Sequence, residues 1–118
     1  MVKRIAVIFF IFVICTGAVY AAQEWYQGGT LHNCTVREWR TAEFTNKLAT
    51  SGDWLAATTW KGELRTRRDL DRLRVASNNL VKTLEFVIYD NAAADNSETS
   101  SLVALLLLMT DEFNPEYY

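Results

Sequence analysis

The sequence predicts an all-α fold, a small helical bundle of about three helices behind an N-terminal signal peptide, and three observations predict it. Downstream of the leader there is a single proline, Pro115, and no alternating run long enough to make a half-buried strand. Apolar residues instead recur at steps of three and four, as on one face of a helix. Two threonine–acid pairs, Thr35 with Glu38 and Thr66 with Asp69, have the spacing of helix N-terminal capping boxes.

The first element is the leader. Lys3 and Arg4 precede an apolar run from Ile5 to Val19, and small residues follow at Ala21 and Ala22, the pattern of a bacterial-type export signal. Residues 1–21 are the expected leader, cut near Ala21, and residues 22–118 a single exported domain, periplasmic or secreted. If the leader is kept, Ile5 to Ala22 is a membrane anchor near the short limit of about 17–25 residues, and the domain stays tethered. Lipidation at Cys15 would want a small residue where Ile14 stands.

Helix one is expected from about Val36 to about Thr59, after a turn through Gly28 and Gly29 and the Thr35/Glu38 cap. Trp39, Ala42, Leu48, Ala49 and Leu55 share its broad apolar face. Ser51 and Gly52 form a weak point, since mid-helix glycine costs about 1 kcal/mol relative to alanine. A kink there is expected, either merely tolerated or letting another element come close. Lys61-Gly62 is a stop signal.

Helix two follows the Thr66/Asp69 cap, with Leu70, Leu73, Leu80, Leu84, Val87 and Ile88 as its stripe. Its early half is basic, carrying Arg65, Arg67, Arg68, Arg72 and Arg74. These arginines either form a solvated face knitted to Glu63, Asp69 and Asp71 or dock an anionic partner. A polar stretch from Asp90 to Ser100 leads to helix three, Leu102 to Met109, capped by Asn96, Ser97 or Ser100. That run is apolar on every side, so it is expected to be sandwiched between the other two helices. Any uncovered part of it becomes a dimer or partner surface.

The whole chain carries 12 Lys and Arg against 14 Asp and Glu. Losing Lys3 and Arg4 with the leader leaves ten bases against the same fourteen acids, a formal charge of −4, which disfavours nucleic acid. No base follows Lys82, so a basic middle faces an acidic last third, and closure of the two within one chain is expected. The tail after Thr110 is expected to be either frayed or docked.

Cys34 stands alone once Cys15 leaves, and it is expected to be buried, a free thiol or an intermolecular bridge. His32 lies two residues before it, in principle a nucleophile pair or two metal ligands. Zinc would need two more ligands, and no other His or Cys remains downstream of the leader. The expectation is a turn in which His32 and Cys34 pack on Trp25 or Tyr26. Asn33-Cys34-Thr35 formally matches a glycosylation acceptor, relevant only on a eukaryotic secretory route. No phosphate-binding glycine loop is present. No catalytic, cofactor or metal residues are assigned, and no small-molecule ligand, although Trp25, Tyr26, Trp39, Trp54 and Trp60 could line an apolar pocket.

The size, leader and helical make-up are similar to those of small periplasmic acid-stress chaperones and of immunity proteins against exported toxins. The likeness covers architecture alone and assigns no residues, and both groups usually carry paired cysteines, which Cys34 alone cannot supply once Cys15 leaves with the leader. The expected role is non-enzymatic: binding a partner protein or self-association, through Trp39, Trp54 and Trp60 of helix one, Leu102, Leu105, Leu106 and Met109 of helix three, and Arg67 and Arg68. An acid- or envelope-stress holdase is the alternative, in which carboxylates between Glu85 and Glu116 lose charge and the fold loosens.

Overall fold

A computed structural model describes residues 23–118; the leader, Cys15 and the cleavage point at Ala21 lie outside the described residues. The described chain is mostly helical and has four α-helices: α1 Val36–Thr41, α2 Phe44–Ala57, α3 Arg67–Ile88 and α4 Thr99–Met109. Short 3-10 turns at Ala92–Ala94 and Pro115–Tyr117 complete it. Among the described residues there is no strand, only an isolated bridge between Thr35 and Glu98.

The expected first helix is two helices. The chain is continuous through Ser51 and Gly52 and breaks instead at Ala42 and Glu43, both extended (ψ 156° and 149°). The cause is tertiary. Trp39 and Trp54 are fifteen residues apart, about 22 Å on a straight helix, yet their rings stack with centroids 5.8 Å apart. Only a bend between them permits that. Arg40 fixes the bend from the other side, donating to Asp95 Oδ1 (2.7 Å) and to the carbonyls of Ile88 and Asn91 (both 2.8 Å).

Gly52 serves close approach rather than a kink. A Cβ there would lie 2.9 Å from the Trp25 ring and 3.4 Å from Ser77 Oγ of α3. Gly29 plays the same part for the lead segment, where a Cβ would meet the Thr50 main-chain nitrogen at 2.8 Å. Asn46 and Thr50 lace that segment onto α2 through the amides of Thr30 (2.8 Å) and Leu31 (3.2 Å).

α2 and α3 pack along each other and form the body of the molecule. The buried face of α3 runs Leu73, Ala76, Ser77, Leu80, Val81, Leu84 and Ile88; of the expected stripe Leu73, Leu80, Leu84 and Ile88 are buried, Leu70 is only partly covered and Val87 is 41 % exposed. Both capping boxes are present. At α3, Asp69 Oδ2 accepts the amides of Arg65 (3.0 Å) and Thr66 (3.1 Å), while Oδ1 accepts Arg72 (2.9 Å). The Arg65 amide does most to hold the Asp69 carboxyl below its usual range; desolvation opposes it, and the Thr66 amide, the Arg72 guanidinium and the Thr66 hydroxyl add to the lowering. A depressed carboxylate stabilises the fold above its ordinary pKa, and the contribution disappears as pH falls through the lowered value. The N-terminal turn of α3 is therefore expected to lose amide protection in acid, and Asp69→Asn, read by hydrogen exchange, to remove that pH dependence.

The polar stretch after α3 is a cap rather than a slack connection. Its carbonyls at Asp95 and Ser97 accept the first amides of α1, from Arg37 (3.0 Å) and Val36 (2.9 Å), and Thr99 returns the bond to the Cys34 carbonyl (3.0 Å). The expected side-chain cap at Asn96, Ser97 or Ser100 is not formed: the N-cap of α4 is Glu98, without a side-chain bond, and its first amide, at Thr99, is satisfied by the Cys34 carbonyl. Arg40→Ala strips three bonds from this junction at once. It is expected to cost about 2–3 kcal/mol in denaturant unfolding, the range for lost charge-assisted bonds.

The tail is docked. Phe113 is buried, Trp60 Nε1 donates to its carbonyl (2.8 Å), and Arg72 lies over the Trp60 ring while donating to the carbonyl oxygens of Pro115 (2.6 Å) and Tyr118 (2.9 Å). Tyr117 donates to Asp111 Oδ2 (3.1 Å), and that carboxylate raises the phenol's pKa. Arg72–tail and Arg40–Asp95 are the contacts by which the basic middle meets the acidic last third. No helix among the described residues is long and apolar enough to cross a membrane.

Candidate functional site

α4 is the element whose surroundings differ most from expectation. It is not sandwiched between the other helices. Within it only Thr99 and Val103 are buried, with Leu102, Leu106 and Leu107 packed partly against the core. α2 and α3 already bury their apolar faces on each other, so a helix apolar on all sides can give the core only one of its faces. The opposite face carries Ser101, Ala104, Leu105, Leu108 and Met109, all exposed. Their spacing of three and four makes one continuous stripe about 12 Å long. Leu105 is 54 % exposed, Leu108 84 % and Met109 79 %.

No charge occurs in α4, but carboxylates stand at both ends: Glu98 before it, Asp111 and Glu112 after it, all exposed. The surface is thus an apolar strip with an acidic collar. An uncovered strip of this kind marks a contact surface, because single exposed leucines are ordinary while an aligned series is not.

The other predicted contact residues separate. Trp39 and Trp60, expected on the contact face of helix one, are fully buried and belong to the core, so neither ring reaches the surface of the described chain. Their polar edges explain why burial is tolerated: Trp39 Nε1 donates to Glu85 Oε2 (3.0 Å), which Lys47 also binds (2.7 Å), and Trp60 donates to the tail. Trp54 is half-buried between the Trp39 ring and the edge of His32 (6.4 Å). Trp60 instead meets Tyr118 (6.1 Å), and Trp25 stands edge-on to Tyr26 (5.7 Å), so the aromatics line no common pocket. Leu102 and Leu106 face inward; Leu105 and Met109 face outward. Arg67 and Arg68 are exposed, and neither guanidinium has a hydrogen bond or ion pair among the described residues.

Sequence reasoning missed Leu108, and also Val75, Phe86 and Tyr89 on the outer face of α3, which are 53, 82 and 79 % exposed. The signal was available. Val75, Lys82, Phe86 and Tyr89 follow steps of seven, four and three, a second stripe on the side of α3 away from the leucines.

His32 and Cys34 serve different parts of the fold. His32 Nε2 lies 2.8 Å from Asp53 Oδ2, and its ring meets Trp54 rather than Trp25 or Tyr26. The Cys34 thiol is buried and donates to Thr99 Oγ1 (3.4 Å), which joins the start of α1 to that of α4. Among the described residues no three His, Cys, Asp or Glu side chains come together as a metal site. A cleft of about 790 Å³ is bordered by Trp25, Phe44, Asn46 and Leu48 with Glu24, Glu43 and Arg74. It holds no ion pair and no paired acid and base at bonding distance among the described residues. Compared with known proteins, the chain matches no family model, no curated protein and no solved structure.

Proposed function

We propose that this is an exported, non-enzymatic binding domain whose contact surface is the outer stripe of α4. The observation that carries the reading is the alignment of Leu105, Leu108 and Met109 on one uncovered helix face, with three carboxylates at its ends. Export rests on the leader, with its two early bases, apolar run and small-residue stop. The surface binds protein: the carboxylates at both ends of the strip oppose an anionic lipid surface.

A photo-crosslinking residue at position 108 tests this. A discrete protein adduct in the native envelope, lost when Leu105→Glu is added and absent with the probe at exposed Glu63, supports the reading. Equal labelling from positions 108 and 63 overturns it.

A second reading, loosening in acid to expose apolar surface, draws support from the ion pairs that join separate segments, Arg40–Asp95 (2.7 Å) and Lys47–Glu85 (2.7 Å). Dye binding that appears between neutral and acid pH supports it, and its absence rules it out.

A further inference from the structure

We propose that the occupant of the α4 stripe is a second copy of this chain, which offers the outer face of its own α3 around the groove between Phe44 and Val75. This rests on the reading of α4 as a contact surface and adds the partner. The groove is about 310 Å³ and is lined by Phe44, Leu48, Arg74, Val75 and Asn78. Phe44 and Val75 are about half exposed, at 51 and 53 %. It is an apolar recess at the surface with room for a leucine side chain, the kind of seat in which an interface anchor is held.

Charge selects this pairing over others. The exposed side of α3 around the groove carries Arg67, Arg68, Arg74 and Lys82, none with an ion-pair partner among the described residues. The acids beside them are Asp71 and Glu85 on α3, Glu43 next to Phe44, and Glu24 in the adjoining cleft; Glu85 is paired with Lys47, so among the described residues four unpaired bases stand against three unpaired acids, a small excess of positive charge. The α4 stripe presents the opposite sign, Glu98 at one end and Asp111 and Glu112 at the other, with no base anywhere after Lys82. Two α4 stripes brought together would set collar against collar. α4 against α3 sets apolar strip on apolar recess and carboxylates beside guanidinium groups.

The pairing is heterologous, since the two copies use different surfaces, and this makes it testable by complementation. Leu108→Glu spoils the stripe but leaves the groove, and Val75→Glu spoils the groove but leaves the stripe. Both sites are exposed and glutamate is a good helix former, so circular dichroism is expected to show an unchanged fold. Sedimentation velocity of the purified protein is expected to show self-association that weakens with added salt. Each variant alone is expected to associate at least tenfold more weakly, and an equimolar mixture of the two to recover a one-to-one complex. A wild-type monomer at every concentration overturns the second-copy partner, and so does a mixture that stays monomeric. Either result leaves the crosslinking at position 108 to decide on the contact surface itself.

Discussion

Trp39→Ala is expected to lower stability by about 3–5 kcal/mol, the range for removing a buried tryptophan. The midpoint of thermal unfolding should fall by roughly 15 °C or more in a domain of this size. Three losses coincide. The Trp54 ring loses its stacking partner, the bend at Ala42 and Glu43 loses the contact that requires it, and the Glu85 carboxylate loses the indole donor beside Lys47. Lys47 is itself nearly buried, with its ammonium 5.6 Å from the Trp39 ring, so it loses a ring and a shared partner together. Trp39→Phe separates these effects. It keeps an aromatic surface for Trp54 while removing the N–H together with the five-membered half of the buried indole, and is expected to cost about 2–3 kcal/mol. Denaturant unfolding followed by circular dichroism reads both variants.

Phe113→Ala is expected to cost about 3–5 kcal/mol and to release the tail. Phe113 is 1 % exposed, and its carbonyl is the acceptor for buried Trp60. The chain beyond it is tied by main-chain oxygens to Arg72 and by the Tyr118 hydroxyl, which accepts from Asn79 (3.1 Å) and donates to the Glu112 carbonyl (3.0 Å). Once the ring is gone, the Tyr118 ring against Trp60 is left as the apolar hold on the tail, and the main-chain carbonyl at position 113 is no longer held under the Trp60 indole N–H. Limited proteolysis should then cut after Met109 well before global unfolding, whereas the unaltered protein should resist at that point until the domain unfolds.

Much of the fold was legible from local signals. Thr35/Glu38 and Thr66/Asp69 announced two helix starts because a capping box needs only neighbours three residues apart. The α3 stripe was legible because its leucines are separated by polar residues, which gives the helix a direction. What escaped was decided over longer distances. The break at Ala42 carries no proline or glycine and follows from Trp39 meeting Trp54 and from Arg40 reaching Ile88, Asn91 and Asp95. The docking of the tail depends on carbonyl oxygens, which every sequence has, and on Arg72 being placed to reach them.

The candidate site shows the same division. Leu102 to Met109 stood out as an apolar run, but a helix apolar on every side has no preferred face, so its period cannot say which residues turn outward. The packing of α2 on α3 made that choice, leaving Leu105, Leu108 and Met109 uncovered and turning Leu102 and Leu106 inward. The reverse happened at Trp39 and Trp60. Their size and aromatic character suit an interface, and they are core because Glu85 and the Phe113 carbonyl satisfy their indole nitrogens inside the fold.

The most direct test of the account is the rate at which Met109 is oxidised by dilute peroxide as protein concentration is raised. A thioether 79 % exposed on the α4 stripe should react nearly as fast as methionine in an open peptide when the protein is dilute. It should slow as a second copy covers it. A rate that is already slow in dilute solution contradicts the uncovered stripe on which the account rests, and one that does not change with concentration contradicts the second copy as its occupant.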